Sequence, residues 1–296
     1  MDRGDAARDL SRTPVALTIA GSDSGAGAGI QADLRTFAAF GVYGVSVVTA
    51  LTAQNTVGVR AVHVAPPEIV AAQCDAVFAD FDVAAIKIGM LADSGLVDVV
   101  AGRLARRRPR PARFIVYDPV MASSSGDALA GAGLIEAVRA RLLPLVDCLT
   151  PNLAEAAALL GCRVAEDEEE MARQGRALLR FGPRSVLMKG GHLAGDAVDL
   201  LVTADAVHRY GAPRIASANL HGTGCTLSSA IAAQIALDRD LQEAVGAAKV
   251  FVRESIERGR DLALGSGAGP LIQTPLAQAI GGSQSPRGSP GPREIN

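Results

Sequence analysis

Short apolar runs rich in Val, Ile, Leu and Ala alternate along this chain with longer stretches in which apolar residues recur every three or four positions. The runs predict strands at 15–21, 45–51, 58–64, 84–88, 114–118, 148–150, 185–189, 198–202 and 206–210. The helical spacing predicts helices at 29–40, 67–78, 94–107, 134–143, 153–160, 168–181, 223–237 and 241–259. Strand–helix alternation of this kind implies an α/β fold, with a mainly parallel central sheet, right-handed crossovers and helices on both faces. The strands at 198–202 and 206–210 read as a hairpin. No internal repeat and no linker interrupts residues 14–264, so they read as one domain. Residues 1–13 are charged and aperiodic, a flexible arm. Residues 265–296 are rich in Gly, Ser and Pro and read as a largely disordered tail, above all 280–296.

Composition sharpens the core. Hydrophobic residues make up 49% of the chain, yet only 3% are aromatic and Trp is absent. The interior must then be aliphatic and Ala-rich, as in a parallel sheet covered by helices. The net charge is −2 with signs interspersed, so nothing steers the chain toward nucleic acid or an anionic membrane. The basic run Arg106, Arg107, Arg108 and Arg110 reads as a solvated helix end. The sequence shows neither a signal peptide nor an apolar stretch long enough to span a bilayer. Cys74, Cys148, Cys162 and Cys225 lack metal-ligand spacing, which fits a reducing, cytoplasmic setting. Lys87, Lys189 and Lys249 are the three lysines among 29 basic residues, so each is worth placing.

In such sheets ligands bind beyond the carboxyl ends of the strands. Ser22 and Asp23, Gln54 and Asn55, Gly89 and Met90, Asp118, Asn152, and Gly190 and Gly191 all follow predicted strands. They should collect on one edge. The glycine-rich AGSDSGAGAG (20–29) invites a dinucleotide reading, but the second strand ends in amides rather than the required acid. Asp23, Asp33 and Gln54 read instead as hydrogen-bonding groups for a polar ring, with capping as the plain alternative for Asp23 and a surface helix position for Asp33. Asp118, at a strand end, can hold Mg²⁺ through water. Asn152 and Glu155 face one way and could share a hydrated cation, although their spacing favours a capping box. Lys189 enters a Gly-Gly turn where phosphate can approach. HGTGC (221–225) opens a helix. Its unpaired N–H groups and helix dipole attract an anion, and the Cys225 thiol on the first turn should have a lowered pKa.

Taken together, the segments LTIAGSDSGAGAGIQADLRTF, TALTAQNT, KIGML, DPVM followed by SGD, TPNLAEAAALLG, VLMKGGH and HGTGCTLSSAIAA resemble the hydroxymethylpyrimidine and hydroxymethylpyrimidine-phosphate kinases of thiamine biosynthesis, within the ribokinase-like superfamily. The resemblance runs from about Ala16 to Glu257. It implies a three-layer α/β/α sandwich, a kinase using ATP and Mg²⁺, and a homodimer. By position, Gln54 would recognise an aminopyrimidine, with Gly21, Asp33, Met90 and Val120 around the ring. Asn152 and Glu155 would organise Mg²⁺, and Lys189 would meet ATP phosphate beside Asp118. Gly222, Thr223 and Gly224 would form an anion hole, with Cys225 by the accepting oxygen. Two positions depart from the family pattern: Ala26 stands where the loop usually has Gly, and Ser124 where a flap Lys is common. Pyridoxal kinase activity and a non-catalytic pyrimidine sensor remain as rival readings.

Overall fold

A computed structural model describes residues 13–106, 113–121, 133–191, 193 and 195–274. Among these, nine strands form one sheet. They are β1 (Val15–Asp23), β2 (Tyr43–Gln54), β3 (Val59–Val64), β4 (Val83–Ile88), β5 (Phe114–Tyr117), β6 (Cys148–Leu149), β7 (Ser185–Lys189), β8 (Ala197–Thr203) and β9 (Val207–Ala212). Their spatial order is β3-β2-β1-β4-β5-β6-β7-β8-β9. The six strands from β2 to β7 in that order run parallel, and β3, β8 and β9 each run antiparallel to a neighbour. The expected hairpin is β8–β9.

Period-2 alternation divides each central strand between two cores. Leu17, Ile19, Ile86, Ile88, Val186 and Met188 face α2 (Pro67–Asp80), α3 (Ser94–Arg106), α4 (Leu134–Ala137), α5 (Leu153–Leu160) and α6 (Glu168–Leu179). Ala16, Ala85, Val116, Cys148 and Leu187 face α1 (Gly29–Ala39), α7 (Thr223–Ala236) and α8 (Leu241–Gly259). The small residues on the second face let α7 lie close against the sheet, so that nine of its residues are buried. The result is the expected three-layer sandwich. Capping follows side-chain chemistry: Asp167 accepts from Glu170 N (2.7 Å) to start α6, and Asp240 from Glu243 N (2.9 Å) to start α8.

Two expectations are corrected. The helix expected at 134–143 is α-helical only over its first turn. It widens into a π turn at Val138–Leu142 and ends in a 3₁₀ turn at Leu143–Leu145. Pro144 lacks an N–H and its ring excludes the carbonyl four residues back, which prevents a regular last turn. The ordered chain also does not stop at 264. Residues 268–274 run back across the molecule, with Leu271 and Gln273 buried and Ile272 N donating to Ser255 O at 3.1 Å. The expectations about residues 1–12, 280–296, Arg107 to Arg110 and Ser124 lie outside the described residues. No helix among the described residues is long and apolar enough to cross a membrane, and all four cysteines are free.

Candidate active site

The parallel strands all end at one edge, and backbone bonds continue their register beyond them. Gly89 N donates to Ile19 O (2.9 Å), Asp118 N to Ile88 O (2.9 Å) and Lys189 N to Pro151 O (2.9 Å). A cavity of about 670 Å³ opens there. Gly21, Gln54, Met90 and Val120 line it, as do Asp118, Asn152, Glu155 and Lys189, and Gly222, Thr223, Gly224 and Cys225. Segments as far apart in the chain as Gly21 and Cys225 thus share one space. Ala197 on β8, Ile215 after β9, Leu227 on α7, and Val252 and Ile256 on α8 add a more apolar wall that the sequence reading did not single out, with Lys249 beside them paired to Asp199 at 2.6 Å.

Asp33 is the exception. It does not line the cavity but lies fully buried on the inner face of α1. Its carboxylate is saturated: Thr18 Oγ1 donates at 2.6 Å, Ser229 Oγ at 2.7 Å, and Lys87 Nζ at 2.8 and 3.0 Å. Asp33 is therefore a counter-ion for Lys87, not a ring contact. Lys87, also fully buried, does reach the cavity. Burial opposes its charge, but the Asp33 carboxylate outweighs it and holds its pKa above the usual lysine value. The available signal was a lysine inside an otherwise apolar strand.

At the glycine loop, Asp23 accepts from Gly25 N (2.8 Å) and Ala28 N (2.9 Å) and meets His221 Nε2 at 2.9 Å. Burial pushes its carboxyl up, but the His221, Ala28 and Gly25 hydrogen bonds outweigh that and hold it below the usual range. The capping alternative is not realised, since α1 has Ala28 at its N-cap and no side-chain cap; Asp23 instead ties together the loop before the helix and lines the cavity. Ala26 sits at φ 59°, the left-handed region that favours glycine, so its departure from the family pattern carries strain. Gly222 sits at φ 86°, and a Cβ there would lie 2.0 Å from Gly27 O. Only glycine fits where these two loops meet. Gln54 points its amide into the same corner, 3.1 Å from Thr52 Oγ1 and 3.3 Å from His221 Nε2. The Thr52 hydroxyl also lies 3.1 Å from Ser22 O and has one proton to give. Thr52 Oγ1 faces Gln54 Oε1 as donor, and Gln54 Nε2 lies against His221 Nε2, which also meets Asp23 Oδ2. His221 is the polar member that the residue-by-residue reading left out.

The charged end is a triad. Lys189 Nζ is 2.6 Å from Asp118 Oδ1 and 3.8 Å from Glu155 Oε2. Burial opposes the ammonium, but the Asp118 and Glu155 carboxylates outweigh it and hold the Lys189 pKa above its ordinary value. Burial pushes the Glu155 carboxyl up to about 7, with Lys189 opposing and Asp118 adding to the rise. Asn152 and Glu155 form the full capping box: Asn152 Oδ1 accepts from Glu155 N (2.8 Å), and Glu155 Oε2 accepts from Asn152 N (2.7 Å). The Asn152 side-chain oxygen thus serves α5, which leaves Glu155 and Asp118 as the oxygen donors for a cation. Among the described residues no group of three His, Cys, Asp or Glu side chains converges on one point. A cation here would keep several waters, as Mg²⁺ does.

The first turn of α7 abuts this triad. A Cβ on Gly224 would lie 3.1 Å from Lys189 Nζ and 3.4 Å from Asp118 Oδ2. No side chain caps the helix, and Gly222 to Cys225 line the cavity, although the Thr223 N–H already donates to Leu220 O at 3.2 Å. The expected lowered thiol is overturned. Burial pushes Cys225 up to about 11; Lys87 opposes this, the Asp33 and Asp118 carboxylates add to it, and the Gly29 N–H opposes it. Desolvation beside two carboxylates outweighs the Lys87 ammonium and the Gly29 N–H.

The family model described as phosphomethylpyrimidine kinase matches residues 23–272. A hydroxymethylpyrimidine/phosphomethylpyrimidine kinase of Rhizobium meliloti is 53% identical over 260 residues, covering 88% of this chain and 96% of the relative. The crystal structure of phosphomethylpyrimidine kinase from Clostridium difficile superposes with a TM-score of 0.73 at 43% identity, over 82% of this chain and all of the other. A Staphylococcus aureus pyridoxal kinase in complex with AMP-PCP and pyridoxal superposes with a TM-score of 0.80 at 30% identity, over 88% of this chain and 93% of that one.

Proposed function

Since this chain belongs to the phosphomethylpyrimidine kinase family, we propose that it phosphorylates the hydroxymethyl group of 4-amino-5-hydroxymethyl-2-methylpyrimidine with ATP, and then the monophosphate to the diphosphate, in thiamine biosynthesis. The observation that carries this reading is one cavity holding an amide corner, a Lys–carboxylate triad and an uncapped helix start. Phosphoryl transfer asks a protein mainly to position two substrates and to neutralise charge. In this reading Gln54 hydrogen-bonds the aminopyrimidine edge, with Gly21, Met90 and Val120 against the ring. The apolar wall of Ile215, Val252 and Ile256 takes the adenine of ATP. Lys189 meets the phosphates. The turn of Gly222, Thr223 and Gly224 receives the transferring group, mainly through the N–H groups of Gly222 and Gly224 because that of Thr223 already donates to Leu220 O, and preorganised donors act strongly there.

The triad fits a divalent cation: two buried carboxylates share one ammonium, so one negative charge is left over when both are ionised. Glu155 and Asp118 would hold Mg²⁺, directly or through its waters. Bound there, the ion would supply charge neutralisation for the ATP phosphates. The four free thiols suit a cytoplasmic setting. For the expected homodimer, the best surface is the β2–β3 edge, where Tyr43, Leu51 and Val62 are exposed. Sedimentation of the chain with Leu51→Lys would test it, dissociation being the expected result.

The deciding experiment is a coupled kinase assay offering the pyrimidine, its monophosphate and pyridoxal side by side. We expect turnover of the first two, with pyridoxal slower. Faster turnover of pyridoxal than of either pyrimidine would assign the pyridoxal kinase activity instead. Binding of the pyrimidine without ATP consumption would make the chain a sensor.

A further inference from the structure

The segment beyond residue 264 reads in sequence as tail, yet it touches the loop before α7 directly and reaches the glycine loop through Arg35. His221 N donates to Gly269 O at 3.1 Å, and Gly269 N donates to Asn219 Oδ1 at 3.1 Å. Arg258 Nε fixes the strap from behind by donating to Ile272 O at 3.0 Å. At its end lies Gln273, 2% exposed and outside the cavity lining. Both ends of its amide are used. Nε2 donates to Thr226 Oγ1 at 3.0 Å, and Oε1 accepts from Arg35 Nε at 3.1 Å.

Those two partners belong to different helices, Arg35 to α1 and Thr226 to α7. Thr226 is fully buried on the first turn of α7, and its N–H donates to Gly222 O at 2.9 Å. The other arm of Arg35 donates to Ala26 O in the glycine loop. One buried amide therefore connects the glycine loop to the helix start, 238 residues from Arg35 and 47 from Thr226. Above it the two loops are in direct contact: a Cβ on Gly27 would lie 2.1 Å from His221 Cδ2. Their spacing has no slack, and a fully satisfied buried network is well suited to hold it.

We propose that Gln273 is a positioning residue for phosphoryl transfer, clamping the glycine loop, through Arg35, to the first turn of α7. The proposal rests on reading Gly222 to Gly224 as the anion hole. Misplacing reacting groups by about 1 Å costs on the order of 100-fold in rate. A loosened clamp should therefore lower kcat by about 10- to 100-fold and leave the pyrimidine KM nearly unchanged.

The test compares wild type, Gln273→Leu, Gln273→Glu and Thr226→Val by kinase assay and by amide hydrogen exchange. Gln273→Leu removes both bonds, and Thr226→Val removes one at constant shape. Glutamate can still accept from Arg35, and the Thr226 hydroxyl can turn its proton toward it. We expect Gln273→Leu and Thr226→Val to lose kcat and to exchange faster at 21–29 and 220–226. Gln273→Glu should restore both readouts. Equal kcat and equal exchange in folded Gln273→Leu, or a loss that Gln273→Glu does not restore, would overturn the clamp. Absence of turnover in wild type would instead count against the kinase reading, and the exchange comparison would still decide the clamp. If Gln273→Leu does not fold, Thr226→Val decides it by the same two readouts.

Discussion

Replacing Cys225 by Ser separates two accounts of the chemical step. A thiol pushed up to about 11 stays protonated through neutral pH. At pH 7 only about one molecule in 10⁴ carries the thiolate, four pH units below that value. General-base assistance is worth roughly 10²–10⁴-fold when the base is fully in its active form. Multiplied by that small fraction, it contributes at most a factor of order one. Serine keeps an oxygen able to accept from the Gly29 N–H, and it is smaller by little. We therefore expect Cys225→Ser to lose less than about tenfold in kcat, with the pyrimidine Kd unchanged. The kcat–pH profiles of wild type and variant should run parallel between pH 6 and 9. The assay is steady-state turnover across pH, with a pre-steady-state burst experiment to establish that phosphoryl transfer limits kcat. The reasoning would be refuted by a loss above about 100-fold, together with a wild-type kcat that climbs tenfold per pH unit and a variant that does not. That outcome would mean that bound substrates pull the thiol pKa down by several units, against burial and the Asp33 and Asp118 carboxylates.

Four further outcomes follow from the geometry. Gln54→Leu should raise the pyrimidine KM by about 5- to 150-fold, the cost of roughly 1–3 kcal/mol for an unpaired polar ring edge, with the thermal midpoint little changed; an unaltered KM would remove Gln54 from the pocket. Ala26→Gly should stabilise the fold by about 0.5–1 kcal/mol in denaturant titration, because glycine relieves the positive φ while losing more entropy on folding. Lys189→Met should cost about 3–5 kcal/mol of stability, since it leaves Asp118 and Glu155 buried without their shared ammonium; urea midpoints of the two proteins measure it. Ending the chain after residue 264 should lower stability by at least about 2 kcal/mol, from the exposure of sites that cover Leu271 alone; an unchanged melting curve would return the segment to the status of a tail.

Much of the cavity was legible because strand ends are legible. Parallel strands deliver their carboxyl ends to one edge, so Gln54, Met90, Asp118, Asn152 and Lys189 could be assigned a common location from spacing alone. The glycines of HGTGC and the helix after it identified the anion-attracting turn for the same local reason. Asn152 and Glu155 show where locality stops: one spacing serves both a capping box and a cation pair, and the observed hydrogen bonds realise the first while leaving Glu155 beside Lys189. Asp33 was misassigned because helix periodicity cannot say that a lysine on β4 will arrive beneath that turn of α1.

By itself, then, the sequence determined the layered α/β architecture, the edge on which the site lies, and the glycines that the two loops require. These follow from side-chain periodicity and backbone φ preferences, which act over a few residues. Tertiary structure alone decided the protonation of Cys225, the Asp33–Lys87 pair, the sharing of Lys189 between two acids, and the docking of Gln273 between Arg35 and Thr226. Each depends on desolvation, or on contacts between residues brought together only when the crossovers are complete. A segment of glycine, serine and proline carries no core of its own, and it becomes ordered here because buried partners wait for it on α1, α7 and α8.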